Sequence, residues 1–227
     1  VLFLVAMVSS IFGGGLIESV LETPEHISDA YENSTLLVIG ALLELLTAAA
    51  VVGIAVMMFS ILARYSENMA RAYVCYRVLE AAIVAIAVIT PLALITLSQD
   101  LTAAGSSDSS SLQTLGAALV ELRGRMAGLL VPVFFSLSAV ILYWSLYQSR
   151  FVPRFISVWG LIGVALLIVY NLLETFGVVI TGAIVLALPI ILNEVFLAIW
   201  LIARGFRLRP DADPEEAIDG TVRDPIS

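Results

Sequence analysis

The sequence predicts an all-α, polytopic transmembrane helical bundle of six spans, and three observations carry that expectation. Sixty per cent of the 227 residues are hydrophobic and only 13% are charged, with a mean hydropathy of +1.03. A soluble core and surface of this size do not show these values together. The apolar runs are long enough to cross a hydrocarbon layer of about 30 Å as helices. They also lack the apolar and polar alternation over about ten residues that marks the strands of a membrane barrel.

The runs cover residues 1–17, 36–62, 72–97, 126–147, 155–177 and 182–203. The first begins at Val1 with no methionine and no basic flank, so it is expected to be a shortened span. A signal-peptide core is disfavoured there because "SSIFGGGLIES" has no clear small-x-small cleavage site. Orientation follows from the arginines near span ends. Arg64, Arg71, Arg150, Arg154, Arg204, Arg207 and Arg209 share one side, against Arg123 and Arg125 on the other, whose first loop "ESVLETPEHISDAYENS" is acidic and has no arginine. The arginine-rich side is expected to be cytoplasmic, with both termini, in the cytoplasmic membrane. Trp144, Trp159 and Trp200 fall near the same boundary, where an indole buries its ring and keeps its N–H near water.

Between the third and fourth runs, "SQDLTAAGSSDSSSLQTLG" is rich in serine, threonine and glycine and predicts an external flexible loop. "ALVELRGRMAG" then predicts an amphipathic helix at the outer interface, with Glu121 and Arg125 as an i,i+4 pair and Arg123 as an interfacial charge. Pro91, Pro132 and Pro189 sit inside spans, and each is expected to free a backbone carbonyl that a neighbour must satisfy. Pro153 is expected to end a helix turn, with Trp159 anchoring the boundary beyond it. Cys75, the single cysteine, reads as a small buried core residue. Residues 1–206 are expected to form one transmembrane domain. Residues 207–227, with six acids and one arginine after Arg209, are expected to be a disordered, solvated cytoplasmic tail rather than a nucleic-acid binder.

Four stretches, "IGALLELLTAAAVVGIAV", "YVCYRVLEA", "LYQSRFVPRFISVWGLIG" and "PIILNEVFLAIWLIARGF", together resemble the prokaryotic membrane-protein family catalogued as domain of unknown function 4386. They occur in the family's order and spacing, and the resemblance runs from the first span to Phe206. It implies a multi-pass membrane protein and brings with it no substrate, reaction or cofactor.

Function then rests on the polar residues inside the spans. A charge near the bilayer centre costs at least about 2.5–3.5 kcal/mol, so such residues face protein or a water-filled cavity. The candidates for ligand or proton binding are Glu44 in the second span, Tyr73, Arg77 and Glu80 in the third, Asn171 and Glu174 in the fifth, and Asn193 and Glu194 in the sixth. At about 1.5 Å per residue, Arg77 lies roughly 8 Å from its span end and Glu80 roughly 12 Å, with Glu194 and Glu44 each about 13 Å from theirs. Tyr73, Arg77 and Glu80 at i, i+4 and i+7 share one stripe. The expected pair is Arg77 with Glu194, because a guanidinium can hold one carboxylate bidentately and still donate to another. One arginine then faces three carboxylates, Glu44, Glu80 and Glu194. A carboxyl in excess of its counter-charge is a candidate to bind a proton or ligand, or to form a structural hydrogen bond.

Other chemistries lack their residues. The single histidine, His26, has no cysteine or second histidine at ligand spacing, which argues against a histidine-ligated zinc and a serine–histidine pair. Neither a G-x-S-x-G elbow nor a G-x-x-x-x-G-K-[ST] loop occurs. The acidic stretch "ETPEHISDAYEN" lacks the fixed ligand spacing of a calcium site. No cofactor or metal is expected. The expected role is non-enzymatic: a module that binds or passes a small solute, ion or lipid. The alternative is a structural or accessory subunit of a larger membrane complex. The expected partners are the bilayer and either a membrane protein or further copies of the chain, with no nucleic acid.

Overall fold

The computed structural model describes residues 1–21, 26–103, 109–178 and 183–206, and every regular element among them is helical. In order these are α1 (Leu2–Leu21), α2 (His26–Glu32), α3 (Ser34–Leu62), α4 (Glu67–Ala87), α5 (Ile89–Ala103) and α6 (Ser109–Arg125). A π turn (Met126–Leu130) leads into α7 (Val131–Ser149), followed by α8 (Arg154–Thr175), a 3-10 turn (Ala183–Leu186) and α9 (Leu188–Arg204). Among the described residues five helical stretches are long and apolar enough to cross a membrane: Leu2–Leu21, Ser34–Leu62, Glu67–Leu101, Ser110–Ser149 and Arg154–Thr175. The sixth expected run forms α9, whose 17 residues extend about 26 Å. The tail expected over 207–227 lies outside the described residues, as do parts of both expected external loops.

The long helices form a ring in chain order. α1 packs on α3, α3 on α4, α4 on α7, α7 on α8 and α8 on α9, and α9 returns to α1. Since lipid tails are as apolar as leucine, such helices associate through close packing rather than through the hydrophobic effect. The α1–α3 crossing shows this directly. A Cβ on Gly40 would lie 2.9 Å from the Gly13 carbonyl oxygen and 2.6 Å from Ile17 Cγ1, so both backbones approach closely only because these positions are bare. Along one end of the ring, Ile54, Met58, Leu62, Tyr73, Leu142, Tyr143, Leu146, Ile156, Val164 and Leu197 form the main buried cluster. Outward-facing apolar residues such as Leu42, Val56, Met57 and Ile199 are exposed, as a lipid-facing surface requires.

Each intraspan proline marks an irregularity. Pro91 has no N–H to give the Ala87 carbonyl and its ring crowds that oxygen, so α4 ends at Ala87 and α5 resumes at Ile89. Pro132 follows the π turn, in which the Val131 N–H bonds back to the Met126 carbonyl. Pro189 sits in the first turn of α9, where a missing N–H costs nothing.

The helix expected over "ALVELRGRMAG" is the end of α6, which runs through the π turn into α7. One expectation about the loops is overturned: the serine-rich stretch is helical up to Ala103 and again from Ser109. The reason is apolar contact: Leu97 and Leu94 are buried with Ile17, Ile27 and Leu37, and Leu101, Leu112 and Leu119 pack against them. The Tyr31 N–H also donates to the buried Ser98 Oγ at 3.2 Å, tying α2 to α5. Cys75 is exposed, not buried. It lies two residues from both Tyr73 and Arg77, about 200° around α4 from their stripe.

The α1–α3 crossing gives a paired prediction. Gly40→Val costs about 1–3 kcal/mol by overpacking, read as a lowered melting temperature in detergent. Gly14→Ala, with nothing within 4 Å of its new Cβ, does not lower the melting temperature and raises it slightly through the better helix propensity of alanine.

Candidate functional site

α4 presents Tyr73, Arg77 and Glu80 on one buried stripe, with Arg77 3% and Glu80 5% exposed. Its start is fixed by Ser66, whose Oγ accepts the Met69 N–H at 3.5 Å. Arg77 Nη1 donates to both Glu80 oxygens, at 3.1 and 3.0 Å, and Nε donates to Tyr73 Oη at 3.3 Å. The guanidinium also lies 5.2 Å from the centre of the Phe135 ring on α7, a cation–π distance. Glu194 comes from α9, its Oε1 3.9 Å from Arg77 Nη2. The expected order of partners is therefore reversed. Glu80, one turn away on the same helix, is the close partner, and Glu194 is the looser one, because a neighbour at i,i+3 needs no second helix to place it.

Beside this group lies a cavity of about 300 Å³ inside the ring, bordered by residues of α1, α3, α4, α7, α8 and α9. Arg77, Glu80 and Glu194 line its polar wall, while Val51, Ile54 and Leu167 belong to its apolar one. A second cavity of about 340 Å³ is lined by Glu18, Glu44 and Arg123. Ser10, Ile11, Thr47 and Val131 line both, so the two are neighbours along α1 and α3. Thr47, common to both, also shares a 2.7 Å hydrogen bond through Oγ1 with Ser9 Oγ of α1.

Arg123 corrects the sequence reading most sharply. It is 4% exposed rather than interfacial. Its Nη1 and Nη2 meet the two oxygens of Glu44 at 3.0 and 2.5 Å, and Nη1 also donates to the Ala87 carbonyl at 3.2 Å. That carbonyl is the one Pro91 strips of its helical donor. Glu44 accordingly pairs with Arg123 and does not join the layer of Arg77. The signal available in the sequence was the imbalance itself, three carboxylates against one arginine, which required a second cation. Arg125, two residues on, stays exposed and pairs with Glu121 at 2.7 Å.

The remaining candidates separate. Asn193 is fully buried and donates from Nδ2 to the Ile156 carbonyl at 3.0 Å, so it fastens α9 to the start of α8. Asn171 is buried on α8, whereas Glu174 is exposed near Gly128 of the π turn, so neither reaches Arg77. Tyr143 was missed by sequence reasoning. It is fully buried, lies within electrostatic range of Glu194 and Arg77, and its Oη has no partner among the described residues. Its ring is seated over Gly160, where a Cβ would overlap it.

A family model described as "Domain of unknown function (DUF4386)" matches residues 1–205. The chain belongs to this family. No curated protein and no solved structure matches it. Family membership and the apolar helices make this an integral membrane protein, and its candidate site stands on geometry.

Both buried arginines should be indispensable to folding. Arg77→Leu and Arg123→Leu each strand a buried carboxylate, costing about 3–5 kcal/mol, whereas Arg125→Leu costs less than about 1 kcal/mol. Melting temperatures in detergent rank them, and adding Glu44→Leu to Arg123→Leu recovers part of the loss. An Arg123→Leu protein as stable as Arg125→Leu contradicts the buried pairing.

Proposed function

We propose that this protein is a non-enzymatic membrane module that binds or passes a small solute, ion or lipid through the interior of its helical ring. The observation that supports this most is the cavity of about 300 Å³ placed against Arg77, Glu80 and Glu194. Ligand sites begin at about this size, and ionisable groups inside a membrane mark solute or proton paths. Tyr73, Arg77 and Glu80 form the fixed wall, and Glu194 is the group free enough to exchange partners. In this reading the arginine-rich end and both chain ends face the cytoplasm, in keeping with the positive-inside rule.

The second reading, an accessory or structural subunit, is favoured by one observation. Arg123 is consumed by Glu44 and the Ala87 carbonyl, which is how a purely structural lock would use a buried charge. The two readings part on native mass spectrometry of protein gently extracted from its own membrane without overexpression. A bare chain, or one retaining a small molecule or lipid, supports the module; a stoichiometric protein partner supports the subunit.

For the module, proton uptake into vesicles with trapped pyranine is expected to exceed that of protein-free vesicles. Glu194→Gln is expected to return it to the protein-free rate while preserving the melting temperature. Uptake unchanged by Glu194→Gln removes Glu194 from the path. Orientation is checked in a Cys75→Ser background: a cysteine at Ser149 should react with an impermeant maleimide only from the cytoplasmic side, and one at Gln113 only from outside.

A further inference from the structure

The central cavity is uneven in charge. Arg77 and Glu80 hold each other through two hydrogen bonds and cancel. Glu194 is different: Arg77 Nη2 is 3.9 Å away, beyond hydrogen-bond range, and the Glu194 side chain keeps 21% of its surface exposed. The cavity therefore offers one carboxylate in excess of its fixed cation. Phe135 lies on the same wall, with its ring over Arg77, and the rest is mostly aliphatic.

The way in is equally specific. Ser10 and Ile11 line the cavity yet are exposed at the bundle surface. They sit near the middle of the 20-residue α1, a helix long and apolar enough to cross a membrane, so this rim of the cavity is level with the middle of a span and not with its ends. An occupant arriving at that level has partitioned into the bilayer first, so it carries an apolar body. To be held by Glu194 it carries one positive charge and N–H donors.

We infer that the central cavity binds a small lipophilic ammonium ion, its N–H groups donating to Glu194 and its apolar body lying against the aliphatic wall between α1 and α8. This rests on reading the protein as a binding module and names the chemical class the module takes. An anion of the same shape is repelled by Glu194, and Arg77 is already engaged by Glu80 and Tyr73. A neutral isostere forgoes the charge-assisted hydrogen bond that gives such a contact its strength.

The test uses the full chain in phosphatidylcholine nanodiscs and equilibrium dialysis of three radiolabelled probes of one shape: phenethylammonium, 2-phenylethanol and phenylacetate, with empty discs subtracted. The expected result is saturable, stoichiometric binding of phenethylammonium alone, weakened at least about tenfold by Glu194→Gln. Saturable binding of phenylacetate, or equal binding of the alcohol and the ammonium, overturns the assigned charge and leaves the module reading standing. Absence of saturable binding by all three overturns the inference, and the module reading then rests on the flux measurement. The three-probe comparison on the unaltered protein decides the charge by itself. Ile191→Trp, which fills the cavity one turn before Glu194, is expected to abolish phenethylammonium binding without altering the carboxylate.

Discussion

A buried backbone carbonyl needs a donor, and at Pro91 the helix cannot supply one for Ala87. The contact from Arg123 to the Ala87 carbonyl resolves that conflict, and much of the surrounding architecture follows from it. A guanidinium buried to serve a carbonyl needs a counter-ion, and Glu44 supplies it from α3. One group thereby ties the third helix, the break between the fourth and fifth, and the rod formed by α6 and α7. With that joint fixed, α4 and α7 hold Arg77 and Phe135 face to face, and the central cavity has a rigid wall.

Two buried clusters result, each with one arginine, and they differ in how completely the charge is used. Around Arg123 both guanidinium nitrogens that point inward are committed. Around Arg77 the geometry leaves Glu194 at arm's length and Tyr143 Oη without a partner among the described residues. The first cluster resembles a structural joint, the second a place where something can be exchanged. Ser10 and Thr47 line both cavities and continue the polar lining between them.

Much of this was legible in the residues. Composition and run length require a helical membrane bundle, and the i, i+4, i+7 spacing of Tyr73, Arg77 and Glu80 places them on one stripe that the fold buries. The proline positions mark the irregularities, since a missing N–H is a local property of the chain. What the sequence hides is long-range pairing. Arg123 looks interfacial because it follows a serine-rich stretch, and only the packing of Leu101, Leu112 and Leu119 under α1 and α3 reveals that the stretch is helical and draws Arg123 inward. The closeness of Glu80 to Arg77 was already present in their i,i+3 spacing, whereas the 3.9 Å that separates Glu194 from Arg77 depends on how α9 packs, which depth along a helix does not fix. Cys75 departs from expectation for a simpler reason: free cysteine is usually buried, but two positions from a buried stripe along a helix is the opposite face, and Cys75 is exposed.

The pairing of Arg77 with Glu80 on a single helix also bears on how the protein is made. α4 leaves the ribosome well before α9, so for the interval of synthesis between them Glu194 does not yet exist. An arginine dependent on Glu194 alone would wait in the insertion machinery as an uncompensated charge. Because its counter-ion is three residues away, the segment enters the bilayer as a neutral unit, already hydrogen-bonded. α3 with Glu44 likewise precedes Arg123, so the later cation finds its anion in place. α9 arrives last, docks between α8 and α1, and finishes the cavity around charges settled before it came.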